Sequence, residues 1–292
     1  MNHPSLLLVG HGSRSPAGVA EYWRFAEVLH QEAPALDVGC GFIELARPSL
    51  DTAIDRLVVG GASSIVAVPL VLLGAGHLKN DGPAALARGR QRHPGVAFHY
   101  GRQLGVHPGV LDVADERIRD ATADGSPPAA AVVVGRGSSD PDANADLYKV
   151  TRLLADGRGL AMAEPAFVSI TTPSVPAALD RCRRLGADRV AVVPYFLFTG
   201  VLVDRIAEQA GRWGAAHGDV DVVVGGHLGP DRRIARLVLE RYSEAVEGRV
   251  RMNCDACVYR VALPGHEERV GQPVALHAHH DHEHARPMSE RR

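Results

Sequence analysis

Aromatic side chains are scarce, at 5% of the 292 residues, which argues against recognition built on stacked bases or sugars. Cysteine is scarcer still: the four residues Cys40, Cys182, Cys254 and Cys257 cannot form the bridge network of a disulfide-stapled domain. No hydrophobic run approaches the ~20 residues of a membrane span, and the first one, Leu6 to Val9, is too short for the apolar core of a secretion signal. A cytoplasmic location is therefore expected. Charge of one sign is also missing, because 32 Lys and Arg against 34 Asp and Glu leave a net charge of −2. That balance offers no electrostatic footprint for nucleic acid or an anionic membrane.

What is present is a folded composition, with 46% hydrophobic and 23% charged residues, enough for about two domains. The chain repeats itself at an offset of 125 residues. LLLVGHGSRSP from Leu6 aligns with AVVVGRGSSDP from Ala131, and Phe42, Pro48-Ser49, Asp55 and Pro69 fall on Phe167, Pro173-Ser174, Asp180 and Pro194 without a gap. Within each copy, short apolar runs alternate with helix-length amphipathic segments, the pattern of parallel α/β units.

The first copy reads as strands over Leu6 to Val9, Val38 to Glu44, Ser64 to Leu72 and Val96 to Tyr100. A helix is predicted over Pro16 to Glu32, with Ser15 as its cap, and Gly60-Gly61 closes the next one. The second copy reads as strands near Ala131 to Val134, Ala166 to Ile170, Arg189 to Phe198 and Val220 to Val224, with a linker over Ala123 to Pro128. The expected architecture is α/β, two tandem lobes, each a four-stranded parallel sheet flanked by helices. Residues 1–124 form the lobe with the active site, 125–248 a degenerate lobe, and 249–292 a largely flexible tail.

Ligands of parallel α/β sheets bind beyond the carboxyl ends of the strands. There the first copy places His11 after strand one, Glu44 at the end of strand two and His77 in the loop after strand three. Two imidazoles and a carboxylate suit a borderline divalent metal and can also accept protons near neutral pH. At the 125-residue offset they become Arg136, Ser169 and Leu202, so all three are lost together. Coordinated loss points to one copy keeping the chemistry while the other keeps the architecture. The competing reading makes His11 a hydrogen-bonding residue of a strand–helix turn and Glu44 a solvated charge.

Gly10-His11-Gly12-Ser13-Arg14 lacks the third glycine of a dinucleotide fingerprint, and no Gly-Lys-Ser/Thr phosphate loop occurs. The turn can still hold a carboxylate, with Ser13, Arg14, Arg47, Lys79 and Arg136 as its candidate partners. Beyond the second copy lie MNCDACVYR, with Cys254 and Cys257, and the run HAHHDHEH. A Cys-x-x-Cys pair supplies half of a tetrahedral metal site or one edge of an iron–sulfur cluster. The rest would come from a second subunit, the histidine run or an outside ligand.

VGHGSR (Val9 to Arg14), the Glu44 position, GAGHLKND (Gly74 to Asp81) and the degenerate VGRGSSDP together resemble the sirohydrochlorin chelatases of the class II chelatase superfamily. The resemblance covers residues 5–247 in the long two-copy form, and the Cys- and His-rich ending resembles extended cobalt-inserting members. It implies two α/β lobes facing each other across a cleft and nucleotide-free insertion of Co²⁺, or alternatively Fe²⁺, into sirohydrochlorin. The expected partners are this anionic tetrapyrrole and a divalent metal. By position His11 and His77 would be the metal-binding and proton-accepting histidines, and Glu44 the assisting carboxylate. A non-catalytic metal-delivery protein and an anion-binding module stay open beside it. A monomer is expected, or a dimer if the cysteine pair shares a cluster.

Overall fold

The computed structural model describes residues 3–122, 128–156 and 158–250, with the side chains at 77 and 78 also outside the description. Residues 123–127 of the linker predicted over Ala123 to Pro128, and the ending with Cys254, Cys257 and the histidine run, fall outside these residues. In the first copy the elements are β1 (Ser5–Gly10), α1 (Pro16–Glu32), β2 (Val38–Phe42), α2 (Leu50–Val59), β3 (Ser64–Pro69), α3 (Gly76–Arg92), β4 (Ala97–Tyr100) and α4 (Pro108–Asp120). The second repeats the series as β5 (Ala130–Gly135), α5 (Pro141–Ala155), β6 (Met162–Phe167), α6 (Val175–Arg184), β7 (Arg189–Pro194), α7 (Val201–Ala216), β8 (Asp221–Val224) and α8 (Arg232–Val246).

Each copy forms one parallel four-stranded sheet, in the orders β2-β1-β3-β4 and β6-β5-β7-β8. The central strand β1, SLLLVG, is buried along its whole length, as expected of a strand covered on both faces. Ladders pair Leu6 with Val38 on one side and Ser5 with Ile65 on the other. Helix α1 begins where the sequence says, with Pro16 at its first position and the Ser15 hydroxyl accepting from the Gly18 amide.

Alternation of side chains along β1 assigns its two faces to different cores. Leu7 and Val9 pack against Ile54 and Leu57 of α2 and Leu86 of α3. Leu6 and Leu8 face a larger core that also holds Val133 of β5, Val193 of β7, Phe25 of α1, Val110 of α4 and Val238 of α8. The inner faces of both sheets therefore close on one shared core. The last helix of each copy crosses over to reach it. Helix α8 packs against α1 and β3 of the first copy, while α4 packs against α5 and β7 of the second.

Several predicted strands run too long. The second was read to Glu44 but stops at Phe42, the third to Leu72 but stops at Pro69, and the seventh to Phe198 but stops at Pro194. The apolar run continues because Leu70, Leu72, Tyr195 and Leu197 are buried as coil beyond the ladder, which hydrophobicity cannot distinguish from strand. Strand β6 begins at Met162 instead of Ala166, and Pro165 is accommodated because this is an edge strand. Among the described residues no helix is long and apolar enough to cross a membrane.

Polar ties fasten the crossed helices. Arg241 on α8, only 1% exposed, donates to the carbonyls of Gln103 and Leu104 in the first copy and to Glu244. Arg102 grips the same Glu244 carboxylate through two 2.7 Å hydrogen bonds. The Arg102 hydrogen bonds, aided by the Arg241 charge, outweigh burial and hold the Glu244 carboxyl below its usual range. A depressed native value means that this stability is present above the ordinary glutamate range and is lost as pH falls through the native value. Glu244→Gln should destabilise the fold at pH 7 by about 1–3 kcal/mol, between the values for exposed and buried pairs. Urea denaturation at several pH values checks this: the gap to the wild type should close below about pH 4, and a gap independent of pH would refute the assignment.

Candidate active site

At the carboxyl edge of the first sheet the backbone brings His11 and Glu44 together before any side chain is considered. The Ile43 amide donates to the Gly10 carbonyl at 2.9 Å and the Glu44 amide to the His11 carbonyl at 3.1 Å. Residues 44–46 then turn back, with Ala46 N–H donating to the Glu44 carbonyl at 2.7 Å and Leu45 in the left-handed region at φ 61°. Gly12 (φ 99°) makes this approach feasible, since a Cβ there would lie 1.8 Å from the Glu44 carbonyl oxygen. The result sets His11 Nε2 3.5 Å from Glu44 Oε1, with the two side chains 34% and 16% exposed. A half-shielded imidazole beside a carboxylate can receive a proton or offer a nitrogen and an oxygen to one divalent ion.

The second copy builds the same frame. Val168 N–H donates to the Gly135 carbonyl and Ser169 N–H to the Arg136 carbonyl, both at 3.0 Å. Ile170 repeats the left-handed conformation of Leu45 at φ 66°, and a Cβ at Gly137 would lie 2.1 Å from the Ser169 carbonyl oxygen. The backbone is duplicated, then, and only the side chains differ. Leu45 and Ile170 escaped the sequence reading; the signal available for them was the paired glycines at 12 and 137.

His77 sits differently from its expected place in a loop, because α3 already begins at Gly76 and His77 falls in its first turn. Its side chain is outside the description, and among the described residues no group of three or more His, Cys, Asp or Glu forms a metal cluster. The expected triad is thus represented in the described side chains by the His11–Glu44 pair.

The predicted basic rim divides. Ser13, Arg14 and Arg47 line one open groove of about 460 Å³, together with Val19, Trp23 and Leu45. Trp23 and Leu45 are 38% and 49% exposed, so the groove presents an aromatic and an aliphatic wall beside two guanidinium groups. Ser13 Oγ also accepts from the Ser15 amide at 3.0 Å, which fixes the turn into α1. Lys79 does not join the groove: its Nζ is held by Asp140 Oδ2 at 2.8 Å and Asp142 Oδ2 at 3.2 Å of the second copy. Arg136 is exposed at the end of β5 and does not line this groove.

Contacts between the copies show that the two carboxyl edges face one another. Lys79 at the start of α3 meets the start of α5, while a Cβ at Gly18 near the start of α1 would meet the Thr199 carbonyl just before α7 at 2.6 Å. The remaining cysteines stand apart from this chemistry. Burial pushes the Cys40 thiol up to about 11 and the Cys182 thiol to about 12, so neither is an activated nucleophile.

Two parallel four-stranded sheets, one of them carrying an imidazole–carboxylate pair at its carboxyl edge, define a duplicated α/β protein. The chain belongs to the CbiX family, whose pattern matches residues 5–121 and again residues 130–245. It is 38% identical over 265 residues to the sirohydrochlorin cobaltochelatase of Priestia megaterium, across 90% of this chain and 86% of that one. It is also 33% identical over 207 residues to the sirohydrochlorin ferrochelatase of the same organism, across 70% and 77% of the two chains. Among solved structures, SirB from Bacillus subtilis with Fe³⁺ superposes with a TM-score of 0.74 at 30% identity, covering 84% of this chain and 98% of that one.

Gly12 and Gly61 have nearly the same φ, 99° and 97°, but nothing lies within 4 Å of a Cβ built at Gly61. Gly61→Ala should cost only the conformational penalty, about 1 kcal/mol, whereas Gly12→Ala should cost at least ~2 kcal/mol because backbone must move. Equal losses in urea denaturation would show that the His11–Glu44 turn is not as tightly packed as described.

Proposed function

We propose that this chain is a sirohydrochlorin chelatase that inserts a divalent metal, Co²⁺ in first place and Fe²⁺ as the alternative, in cobalamin or siroheme biosynthesis. The observation that carries the reading is the His11–Glu44 pair, built on a backbone frame present in both copies but furnished with these side chains in only one. Family membership and the two Priestia relatives supply the substrate class. Cobalt is placed first because the cobalt-inserting relative matches a larger share of the chain at higher identity. Site chemistry alone would not rank the two metals, since imidazole and carboxylate donors accept both.

Insertion has two requirements, stripping water from the incoming metal and removing the pyrrole N–H protons of the macrocycle. His11 serves both. As a neutral imidazole it offers Nε2 as a ligand, and after metal transfer the same nitrogen accepts a proton, with Glu44 Oε1 at 3.5 Å stabilising the imidazolium. His77, in the first turn of the helix after β3, is the second metal- and proton-handling imidazole on this reading. Arg14 and Arg47 pair with carboxylates of the macrocycle, and the walls formed by Trp23 and Leu45 take its apolar edge. Arg136 contributes a further cation from the facing copy, at the position equivalent to His11.

Single-turnover assays with purified protein, sirohydrochlorin and Co²⁺, Fe²⁺ or Ni²⁺, followed through the tetrapyrrole absorption, test the reading directly. Co²⁺ should give the fastest insertion. His11→Ala and His77→Ala should each slow it at least ~100-fold, and Glu44→Gln less, because water can partly replace an assisting carboxylate. Arg14→Ala, Arg47→Ala and Arg136→Ala should raise KM with little change in kcat. Near-normal turnover in both histidine variants would sink the assignment; metal binding without insertion would make the chain a metal-delivery protein instead.

A further inference from the structure

The first turn of α3 carries His77, yet its own sequence does little to hold it. Ala75 at the cap position supplies no side-chain acceptor, and the turn contains no acidic residue. Lys79 adds a positive charge close to the positive end of the helix dipole, an unfavourable placement for an isolated helix. The compensation comes from the other copy. Lys79 Nζ lies 2.8 Å from Asp140 Oδ2 and 3.2 Å from Asp142 Oδ2, and the three side chains are 10%, 3% and 13% exposed.

Both carboxylates are themselves fixed. Asp140 caps α5 by accepting the Asp142 amide at 3.1 Å, so the pair sits at a helix N-terminus that favours negative charge. The equivalent helix of the second copy is built without this device. Gly200 caps α7 with no side-chain hydrogen bond, but the counterpart of Lys79 there is Asp204, an acid in the first turn that suits the dipole. The counterparts of Asp140 and Asp142 in the first copy are Ser15 and Ala17, which carry no charge. The α7 side is tied across the copies differently, by Glu21 of α1 accepting the Thr199 amide at 2.6 Å, so the Lys–Asp–Asp clasp itself occurs only on the side with His11 and His77.

We propose that Lys79, through Asp140 and Asp142, is a positioning residue that fixes the His77-bearing turn relative to the His11–Glu44 pair. The degenerate copy thereby takes part in setting the geometry of the intact one. This rests on the assignment of His77 under the proposed function. A role for Lys79 as a direct cation for the macrocycle is the competing view. It would require withdrawing the ammonium from two nearly buried carboxylates, leaving both without their counter-charge.

The test uses the full chain and two readouts, steady-state insertion of Co²⁺ into sirohydrochlorin and amide hydrogen exchange over residues 76–80. Lys79→Met should lower kcat at least ~10-fold, leave KM for the macrocycle within about twofold and accelerate exchange in this turn. Lys79→Arg, which keeps the charge and donors, should recover most of kcat. Should Lys79→Met fail to fold, the double variant Lys79→Met/Asp142→Asn relieves part of the stranded negative charge, and the same loss of kcat is expected of it. Unchanged kcat in a folded variant overturns the proposal, and so does a rise in KM alone, which would return Lys79 to substrate binding. An inactive wild-type chain sinks the proposed function and with it the role of His77, whereas unchanged exchange at 76–80 sinks the clasp alone.

Discussion

Everything in this molecule depends on the crossing of the last helix of each copy onto the other copy's sheet. Without α8, the Leu6 and Leu8 face of β1 would lose one of its covering helices, and without α4 the Val133 and Val193 face of the second sheet would lose its counterpart. Burying such faces is the main favourable contribution to folding, so neither copy can close its core alone. The exchange also holds the two carboxyl edges facing each other, with α1 against the loop before α7 and α3 against the start of α5. A second copy with Arg136, Ser169 and Leu202 at the positions of His11, Glu44 and His77 thus has a structural role in the fold.

The duplication separates frame from chemistry with unusual clarity. Gly12 and Gly137, Leu45 and Ile170, and the hydrogen bonds from residues 43, 44, 168 and 169 repeat one backbone turn at both sheet edges. On that common turn the first copy carries His11 beside Glu44 and the second carries Arg136 beside Ser169. On the proposed function, reactivity is a property of the side chains and not of the backbone turn that holds them in both copies. The same asymmetry extends to the helix after the third strand, where Lys79 reaches across the copies and its counterpart Asp204 complements its own helix.

Much of this was legible in the sequence. The eight strands, the Ser15 cap with Pro16 and the placement of His11 at a strand end follow from patterns local to a few residues, and the 125-residue offset from matching such patterns between the two halves. Three things were not. Strand ends overran because Leu70, Leu72, Tyr195 and Leu197 are as buried in coil as they would be in strand. The helix exchange is invisible to periodicity, which gives a helix an apolar face without saying which sheet that face meets. The partner of Lys79 was hidden as well, because sequence gives the sign of a charge but not what it pairs with, and Asp140 lies 61 residues away.

On the proposed function one copy handles the metal and the other does not. Crystals of the full chain soaked with Co²⁺ and measured at the cobalt absorption edge would test it most directly. An anomalous peak is expected within coordination distance of His11 Nε2 and Glu44, and none at the equivalent turn of Arg136 and Ser169. A peak at the second turn, or an empty first turn in crystals with cobalt elsewhere, would contradict it.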